Sequence, residues 1–373
     1  MSGFHSIMVC LFVLASASAI RPTTAAPTLL RSGSTAAMQM PLKRIDRIQM
    51  AAAVAAPQPA DESRTPSRPL MAFVAATSVS ILTAVARQLP STITTAALGG
   101  SAVLPTRALL GLRLAFLSVV VASLGSSLTD RKPHMFNMML YKDSKLAEKS
   151  VPFKGLERLT TFTMQCWALQ GLYFACATAT SVAHLGGLTL PTALLRLTHG
   201  LFDVCAATAF LVTTVVTFVL IPSRIKRKDS AGLARMLSWR PLCMHNLNVL
   251  FMTTEMLLNS VPIVGMHGLY PAIFGIEYVL ISWWWLQRTG ITYYPFLDPT
   301  LPPAKGIAIH AALFVVLVAF FAIRVAAAQT AAFAPLVVRI PALYGAALAI
   351  TWWPHGIRGW PAGLAKAEKA GSE

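Results

Sequence analysis

Eight long apolar segments separated by short gaps constrain this chain more than any other feature of its sequence. A helix needs about 20 consecutive apolar residues to cross the hydrocarbon core of a bilayer. Only 12% of the 373 residues are charged, about half the roughly 25% usual in soluble domains, so a water-soluble protein of this size is excluded. The segments are 70–86, 108–128, 160–183, 203–222, 243–263, 269–287, 306–324 and 335–353.

These segments predict an all-α fold, a polytopic transmembrane helix bundle of about 7–8 spans with a disordered N-terminal targeting region. The number of spans stays open because segment one is short and segment eight contains Arg339 and Pro341. We expect an extra N-terminal span and loop at 69–107, a core bundle at 108–325, and an extra C-terminal span with a basic tail at 326–373.

The N-terminus resembles a targeting sequence in two parts. Residues 1–19 are signal-like, with an apolar stretch too short to span a bilayer that ends in Ala17-Ser18-Ala19. Residues 20–68 are rich in Ala, Ser, Thr and Arg and are either transit-like or a disordered tail. A transit segment would direct the protein to a plastid membrane, whereas a signal peptide alone would direct it to the endomembrane system, of the endoplasmic reticulum type.

The basic residues predict the orientation of the bundle. The formal net charge is +17, and Lys and Arg concentrate in the gaps after segments two, four and six and in the C-terminal tail. Basic loops of polytopic membrane proteins face the cytoplasmic side, so this excess does not indicate nucleic-acid binding. The loop charges place the N-terminus inside, whereas a cleaved signal peptide followed by eight spans would leave it on the lumenal side. Plastid import or a seven-span bundle would resolve this conflict.

The cysteines give no sign of a disulfide framework or a metal site. Four of the five, Cys166, Cys176, Cys205 and Cys243, fall in predicted spans, where cysteine is usually a small buried apolar residue. The chain has no CxxC motif and no Cys/His cluster with zinc spacing. We therefore expect no bound metal and no cofactor.

Segment five carries the densest set of polar side chains within a predicted span. His245, Asn248, Glu255 and Asn259 follow one another at offsets of 3, 7 and 4 residues, which places them near one stripe of a helix. Such a stripe must face protein or water rather than lipid. It has three interpretations: a catalytic site, the polar path of a transporter, or an inter-helix hydrogen-bond ladder without chemistry.

Thr163 in segment three is the candidate partner of His245. Segments three and five both enter the membrane from the basic face, so Thr163 and His245 are expected at similar depth. A threonine hydroxyl becomes a nucleophile when an adjacent base takes its proton, and histidine suits that role at neutral pH. Thr161 is the alternative nucleophile. The Trp283–Trp285 run at the end of segment six predicts either an interfacial anchor or the mouth of this site.

Several of these stretches together resemble the androgen-induced gene family of membrane proteins. The resemblance covers about 108–325 in matching order and is most specific in segments five and six. The matching residues are Thr163, Gln170, Tyr173 and Phe174 in segment three, Asp203 in segment four, Trp239 through Met244-His245 to Glu255-Met256-Leu257, and Thr289-Gly290 to Tyr294-Pro295-Phe296-Leu297.

The resemblance implies a polytopic threonine hydrolase that cleaves fatty acid esters of hydroxy fatty acids, with Thr163 as nucleophile and His245 as base. Asn248 is a candidate to orient the imidazole or stabilise an oxyanion, and Glu255 or Asp203 a candidate carboxylate partner. The implied partners are membrane lipids and a lipid-ester substrate, with no nucleic acid. Pro241-Leu242-Cys243 replaces a polar trio of the family, which bears on the identity of the substrate.

Overall fold

The apolar segments form helices in the computed structural model, which describes residues 64–87, 93–259, 261–333 and 335–351. The predicted all-α fold is confirmed; the signal-like segment, most of the transit-like segment and the basic tail lie outside the described residues. In chain order the helices are α1 (Arg68–Ala86), α2 (Thr95–Gly99), α3 (Thr106–Thr129), α4 (Phe162–Leu185), α5 (Thr192–Val215), α6 (Ile221–Lys226), α7 (Ser230–Met236), α8 (Trp239–Leu242), α9 (Asn248–Leu258), α10 (Leu269–Thr289), α11 (Pro303–Phe333) and α12 (Leu336–Ala349).

The described helices make this a multi-pass membrane protein. Five of them are long and apolar enough to cross a bilayer: Arg68–Val85, Thr106–Thr129, Thr192–Lys226, Gly265–Thr289 and Pro303–Ala327. Helix α4 has 24 residues, a length of about 36 Å at the α-helical rise, and α12 is a shorter apolar helix of 14 residues. The five candidate spans correspond to segments one, two, four, six and seven of the sequence, and a count of 7–8 spans stays a prediction.

Two boundaries differ from the sequence prediction. Segment four begins at Thr192, just after Pro191, and not at Asp203, because Arg196 and His199 interrupt the apolar run without interrupting the helix. Segment five does not continue as a helix to residue 263, because α9 ends at Leu258. Pro262 follows shortly afterwards, and a proline disfavours helical conformation in the residue before it.

Segment five is also not one regular α-helix. Residues Cys243–Leu247, between α8 and α9, form a π-helix, and a second π-helix at Val216–Leu220 joins α5 to α6. A π-helix has one more residue per hydrogen-bonded turn than an α-helix and is frequent at functional sites. His245 lies in the first of these segments, so its position along the helix differs from that expected at regular spacing.

The loop after α3 contains structure that the sequence did not predict. Strands β1 (His134–Asn137) and β2 (Ser150–Phe153) form a two-stranded antiparallel sheet. Phe136 and Phe153 pack on the ring of Tyr293, with ring centroids 5.3 and 5.4 Å from it. This sheet therefore covers the segment that follows α10, at the end of the bundle where the basic gaps lie.

Three of the basic gaps meet at this end, in agreement with the alternation of charge along the sequence. Arg240 Nη1 lies 2.6 Å from Asp130 Oδ2, which joins the gap before segment five to the end of α3. Lys305 Nζ lies 2.7 Å from Asp143 Oδ1, and the Ser144 hydroxyl donates to the Asp298 carboxylate. These contacts hold the loops together over the ends of α3, α4 and α10.

The Asp130 junction should depend on pH. A hydrogen bond from Arg240, followed by one from the backbone N–H of Lys132, lowers the pKa of Asp130 from 3.8 to about 2. A carboxylate whose pKa falls on folding stabilises the folded arrangement above its unfolded pKa, and that contribution is lost as the pH falls through the folded pKa. We expect the 130–158 loop to become less protected between about pH 4 and 2. The measurement is its amide hydrogen exchange, corrected for the intrinsic exchange rate at each pH, which should rise over this range.

Asp130→Asn is the matched control for this effect. The asparagine side chain cannot ionise. Amide hydrogens of the 130–158 loop should therefore exchange faster in this variant than in wild type at pH 5, with no further change attributable to residue 130 at lower pH. Identical pH dependence in the wild type and Asp130→Asn would show that another group controls the junction.

Candidate functional site

An apolar cavity of about 110 Å³ lies between α4, α5, α10 and α11. Its wall is formed mostly by aliphatic and aromatic side chains, among them Val212, Val216 and Leu317. Three of the lining residues carry a hydroxyl group: Thr163, Tyr294 and Tyr278, whose hydroxyl donates to the Thr160 carbonyl at 3.2 Å. A hydrocarbon chain matches such a lining, while the hydroxyl groups supply the polarity needed to orient one polar group.

Thr163 reaches the cavity because it stands in the first turn of α4, which begins at Phe162. Its side chain interacts with that of Tyr294. Tyr294 is brought there by a reversal of the chain at Gly290, whose φ of +69° is left-handed and ends α10, a conformation that glycine adopts without strain. The segment from Tyr294 to Leu297 then returns over the cavity.

Thr161, the alternative nucleophile, is in a different position. It is the residue before α4, and its hydroxyl donates to the backbone carbonyl of Arg158 at 2.9 Å. Thr161 is not among the cavity-lining residues. Of the two candidate threonines, Thr163 is therefore the one that contacts the cavity.

His245 is not among the residues that line the cavity. The π-helix that carries it packs against both α4 and α5, and Thr213 Oγ1 donates to its backbone carbonyl at 2.6 Å. Its Nδ1 atom is buried without a hydrogen-bond partner among the described residues. No hydrogen bond joins His245 to Thr163 among the residues that the structure describes.

Asn248 is held by hydrogen bonds to neighbouring helices. Its Oδ1 accepts from Thr213 Oγ1 at 3.0 Å, and its backbone carbonyl accepts from Gln170 Nε2 at 3.1 Å. Thr213 thus contacts both His245 and Asn248, one at its backbone and the other at its side chain. Asn248 fixes the position of the His245 segment relative to α4 and α5.

Glu255 belongs to a buried ion pair that the sequence analysis did not identify. Arg113 Nε and Nη2 each lie 2.8 Å from a Glu255 carboxylate oxygen, and the Tyr173 hydroxyl donates to Oε2 at 2.9 Å. Arg113 Nη1 also donates to the backbone carbonyl of Leu98 and to Ser181 Oγ. A lone arginine within the 108–128 segment was the available signal, because a charge inside a span requires a partner.

Asp203 belongs to a second buried cluster, and its partners among the described residues do not include His245. Its Oδ2 lies 2.6 Å from His267 Nδ1 and 3.4 Å from His199 Nε2, and its Oδ1 lies 2.9 Å from Arg324 Nη1. All four side chains are almost fully buried. No local sequence pattern indicates this cluster, because its further members lie on three separate elements: His199, His267 and Arg324.

Fold and site together define a polytopic membrane protein with an apolar, hydroxyl-bearing cavity and two buried clusters of ionisable side chains. Comparison with family models, curated proteins and solved structures finds no match for this chain.

Proposed function

We propose that this protein is an integral membrane lipid-ester hydrolase with Thr163 as nucleophile and His245 as general base. The observation that carries the proposal is the position of Thr163 in the wall of an apolar cavity between transmembrane helices. The acyl chain of a membrane lipid can occupy such a cavity without leaving an apolar environment, while its ester carbonyl stays beside the hydroxyl.

In the proposed reaction Thr163 Oγ attacks the ester carbonyl carbon as His245 takes the hydroxyl proton. The tetrahedral intermediate collapses, the C–O bond to the alcohol breaks, and His245 returns the proton to the leaving alkoxide. Water then attacks the acyl-threonine ester by the same route, which releases the fatty acid and restores Thr163. Tyr294, which contacts Thr163, is suited to donate a hydrogen bond to the oxyanion.

The surroundings of His245 support its role as base. Its Nδ1 atom is buried and uncommitted, while nearby Asn248 has hydrogen-bond partners. A base acts directly or through one water molecule, and such hydrogen bonds often tighten only when substrate is bound. Because His245 is not in the cavity wall, the proposed proton transfer runs through one water molecule or a rotation of the imidazole toward α4.

The substrates we propose are fatty acid esters of hydroxy fatty acids or related lipids, which place this protein in lipid metabolism. The resemblance of segments three, five and six to the androgen-induced gene family supports this class. The signal-like N-terminus supports a location in the endomembrane system, and a transit-like segment after it would instead favour a plastid membrane.

The alternative is that the protein is not an enzyme and that the polar residues of segment five only hold helices together. The hydrogen-bond partners of Glu255 and Asn248 favour such a structural role for these two residues. Both side chains are committed to hydrogen bonds within the bundle, as expected of a ladder that holds helices together and not of an open polar path. We therefore assign Glu255 and Asn248 a structural role in the proposed enzyme and restrict the chemistry to Thr163 and His245.

Covalent labelling tests the nucleophile directly. The full-length protein in lipid nanodiscs should react with a long-chain fluorophosphonate, and peptide mass spectrometry should locate the adduct at Thr163. Prior incubation with a long-chain fatty acid ester of a hydroxy fatty acid should slow labelling. Thr161→Ala is the matched control and should label like wild type. Absence of labelling, or equal labelling of Thr163→Ala, would contradict the proposal.

A further inference from the structure

A cluster of two histidines and one aspartate lies at the opposite end of α10 from the basic gaps. His199 and Asp203 stand one turn apart on α5, and His267 belongs to a 3₁₀ turn at Gly265–Gly268, just before α10. One potential ligand atom from each lies within 4.8 Å of the other two, and all three side chains are buried. The proposed hydrolysis uses none of them.

The separations within this cluster are close to those of a metal site. Zinc bound by histidine and carboxylate at about 2.0–2.1 Å in a tetrahedron holds its ligand atoms about 3.3 Å apart. His199 Nε2 lies 3.4 Å from Asp203 Oδ2 and 3.0 Å from the backbone carbonyl oxygen of Pro262. His267 Nδ1 is nearer, 2.6 Å from Asp203 Oδ2, so a metal ion would require these two atoms to separate by about 0.7 Å.

The protonation of His199 differs between the metal-free and the metal-bound forms of this cluster. Without a metal ion, His199 Nε2 donates to the Pro262 carbonyl, since a carbonyl oxygen only accepts. With a metal ion, Nε2 is the ligand atom, because it is the ring nitrogen that lies close to both Asp203 Oδ2 and the Pro262 carbonyl oxygen. The imidazole proton is then on Nδ1, and the Pro262 oxygen no longer accepts a hydrogen bond from Nε2.

Arg324 occupies the position of an outer partner. Its Nη1 lies 2.9 Å from Asp203 Oδ1, the oxygen that faces away from the histidines, and its guanidinium stacks over the ring of Phe202 at 4.6 Å. Carboxylates that bind metal ions are themselves oriented by such contacts. The pairing offsets the aspartate charge on one side while Oδ2 continues to face His199 and His267.

We propose that His199, Asp203 and His267 bind one divalent first-row transition-metal ion. Two imidazoles and one carboxylate are the donor set of zinc and of non-haem iron sites with open positions. The carbonyl oxygen of Pro262 or a water molecule completes the coordination. The expectation of no metal site rested on local Cys/His spacing, which residues 64 positions apart do not display.

Metal content of the purified protein tests this site. The full-length chain, with a tag that contains no histidine, is purified in detergent without chelator and analysed by inductively coupled plasma mass spectrometry. Wild type should retain about one zinc or iron per chain, whereas His199→Gln and His267→Gln should lose it, because even outer-shell changes typically lower metal affinity by about 10–100-fold. His310→Gln is the matched control, since His310 is buried on α11 and its contacts are with the Gly306 carbonyl and the Trp283 ring, away from this cluster.

A second measurement uses wild type alone and so does not depend on the folding of variants. After chelation, addition of Co²⁺ should produce visible absorption bands that saturate at one equivalent, and Zn²⁺ should displace them and raise the thermal unfolding temperature. Wild type that neither retains metal nor gives a saturable Co²⁺ spectrum overturns the proposal, as does equal metal retention in the two histidine variants. Neither readout involves ester hydrolysis, so failure of the metal site and failure of the hydrolase remain distinguishable.

Discussion

Thr163→Ala should abolish ester hydrolysis without loss of folded protein. Removal of the nucleophile closes the covalent route, and in hydrolases that act through a nucleophile and base such changes cost about 10⁴-fold or more in turnover. The change removes only a small polar group from the wall of a cavity, so abundance and size-exclusion profile should match wild type. Release of fatty acid from a long-chain ester, measured in nanodiscs, provides the activity.

His245→Ala should have a similar effect, and the double variant should be no worse than either single variant. The two side chains act in one step of the proposed mechanism, and residues that act as a unit are strongly non-additive. Thr161→Ala serves as control and should keep most of the activity, because its hydroxyl bonds to the Arg158 carbonyl outside the cavity. An inactive Thr161→Ala with an active Thr163→Ala would move the nucleophile, and three active single variants would refute the enzyme proposal.

Loss of the carboxylate of Glu255 should cause the largest loss of stability that the structure predicts. Arg113 and Glu255 have side chains that are each only 1% exposed, so Glu255→Leu leaves the arginine charge buried without its partner. Breaking one side of a buried ion pair costs about 3–5 kcal/mol. We expect a lower thermal unfolding temperature in detergent and a smaller yield of monodisperse protein.

Two comparisons identify the cause of this loss. Arg113→Met combined with Glu255→Leu should recover much of the stability, because replacing both charges by apolar side chains is often neutral. Glu277→Gln on α10 is the matched control: Glu277 Oε2 is buried without a hydrogen-bond partner among the described residues, so its neutralisation should not destabilise the bundle. Wild-type stability of Glu255→Leu would show that the ion pair contributes little.

The position of Thr163 along its helix could be predicted from the sequence, but the cavity beside it could not. The basic gaps placed the start of segment three on the same membrane face as the start of segment five, and α4 does begin at Phe162. The expectation that Thr163 lies near the start of segment three, at a depth similar to that of His245, therefore depended only on charge and apolar length. The cavity at that turn is formed by α5, α10 and α11 as well, and no feature of segment three alone predicts it.

For the polar stripe on segment five, the sequence predicted neither the helical register nor the partners of its side chains. Regular helical spacing placed His245, Asn248 and Glu255 on one face, but the π-helix at Cys243–Leu247 changes the register between the first residue and the others. Glu255 pairs with Arg113, which lies 142 residues earlier in the chain. A pairing over that distance depends on which helices become neighbours, and apolar segments of similar length carry little information about that choice.

The sequence by itself determined that this chain is an all-α membrane protein, the approximate bounds of most of its helices, and the end of the bundle at which the basic gaps meet. Those properties depend on composition and period, because a bilayer admits only segments of sufficient apolar length. Only the tertiary structure decided which buried charges are partners: Arg113 with Glu255, and Asp203 with His199, His267 and Arg324. A charged side chain inside the bundle requires a partner of opposite charge. Which side chain becomes that partner depends on which helices pack together.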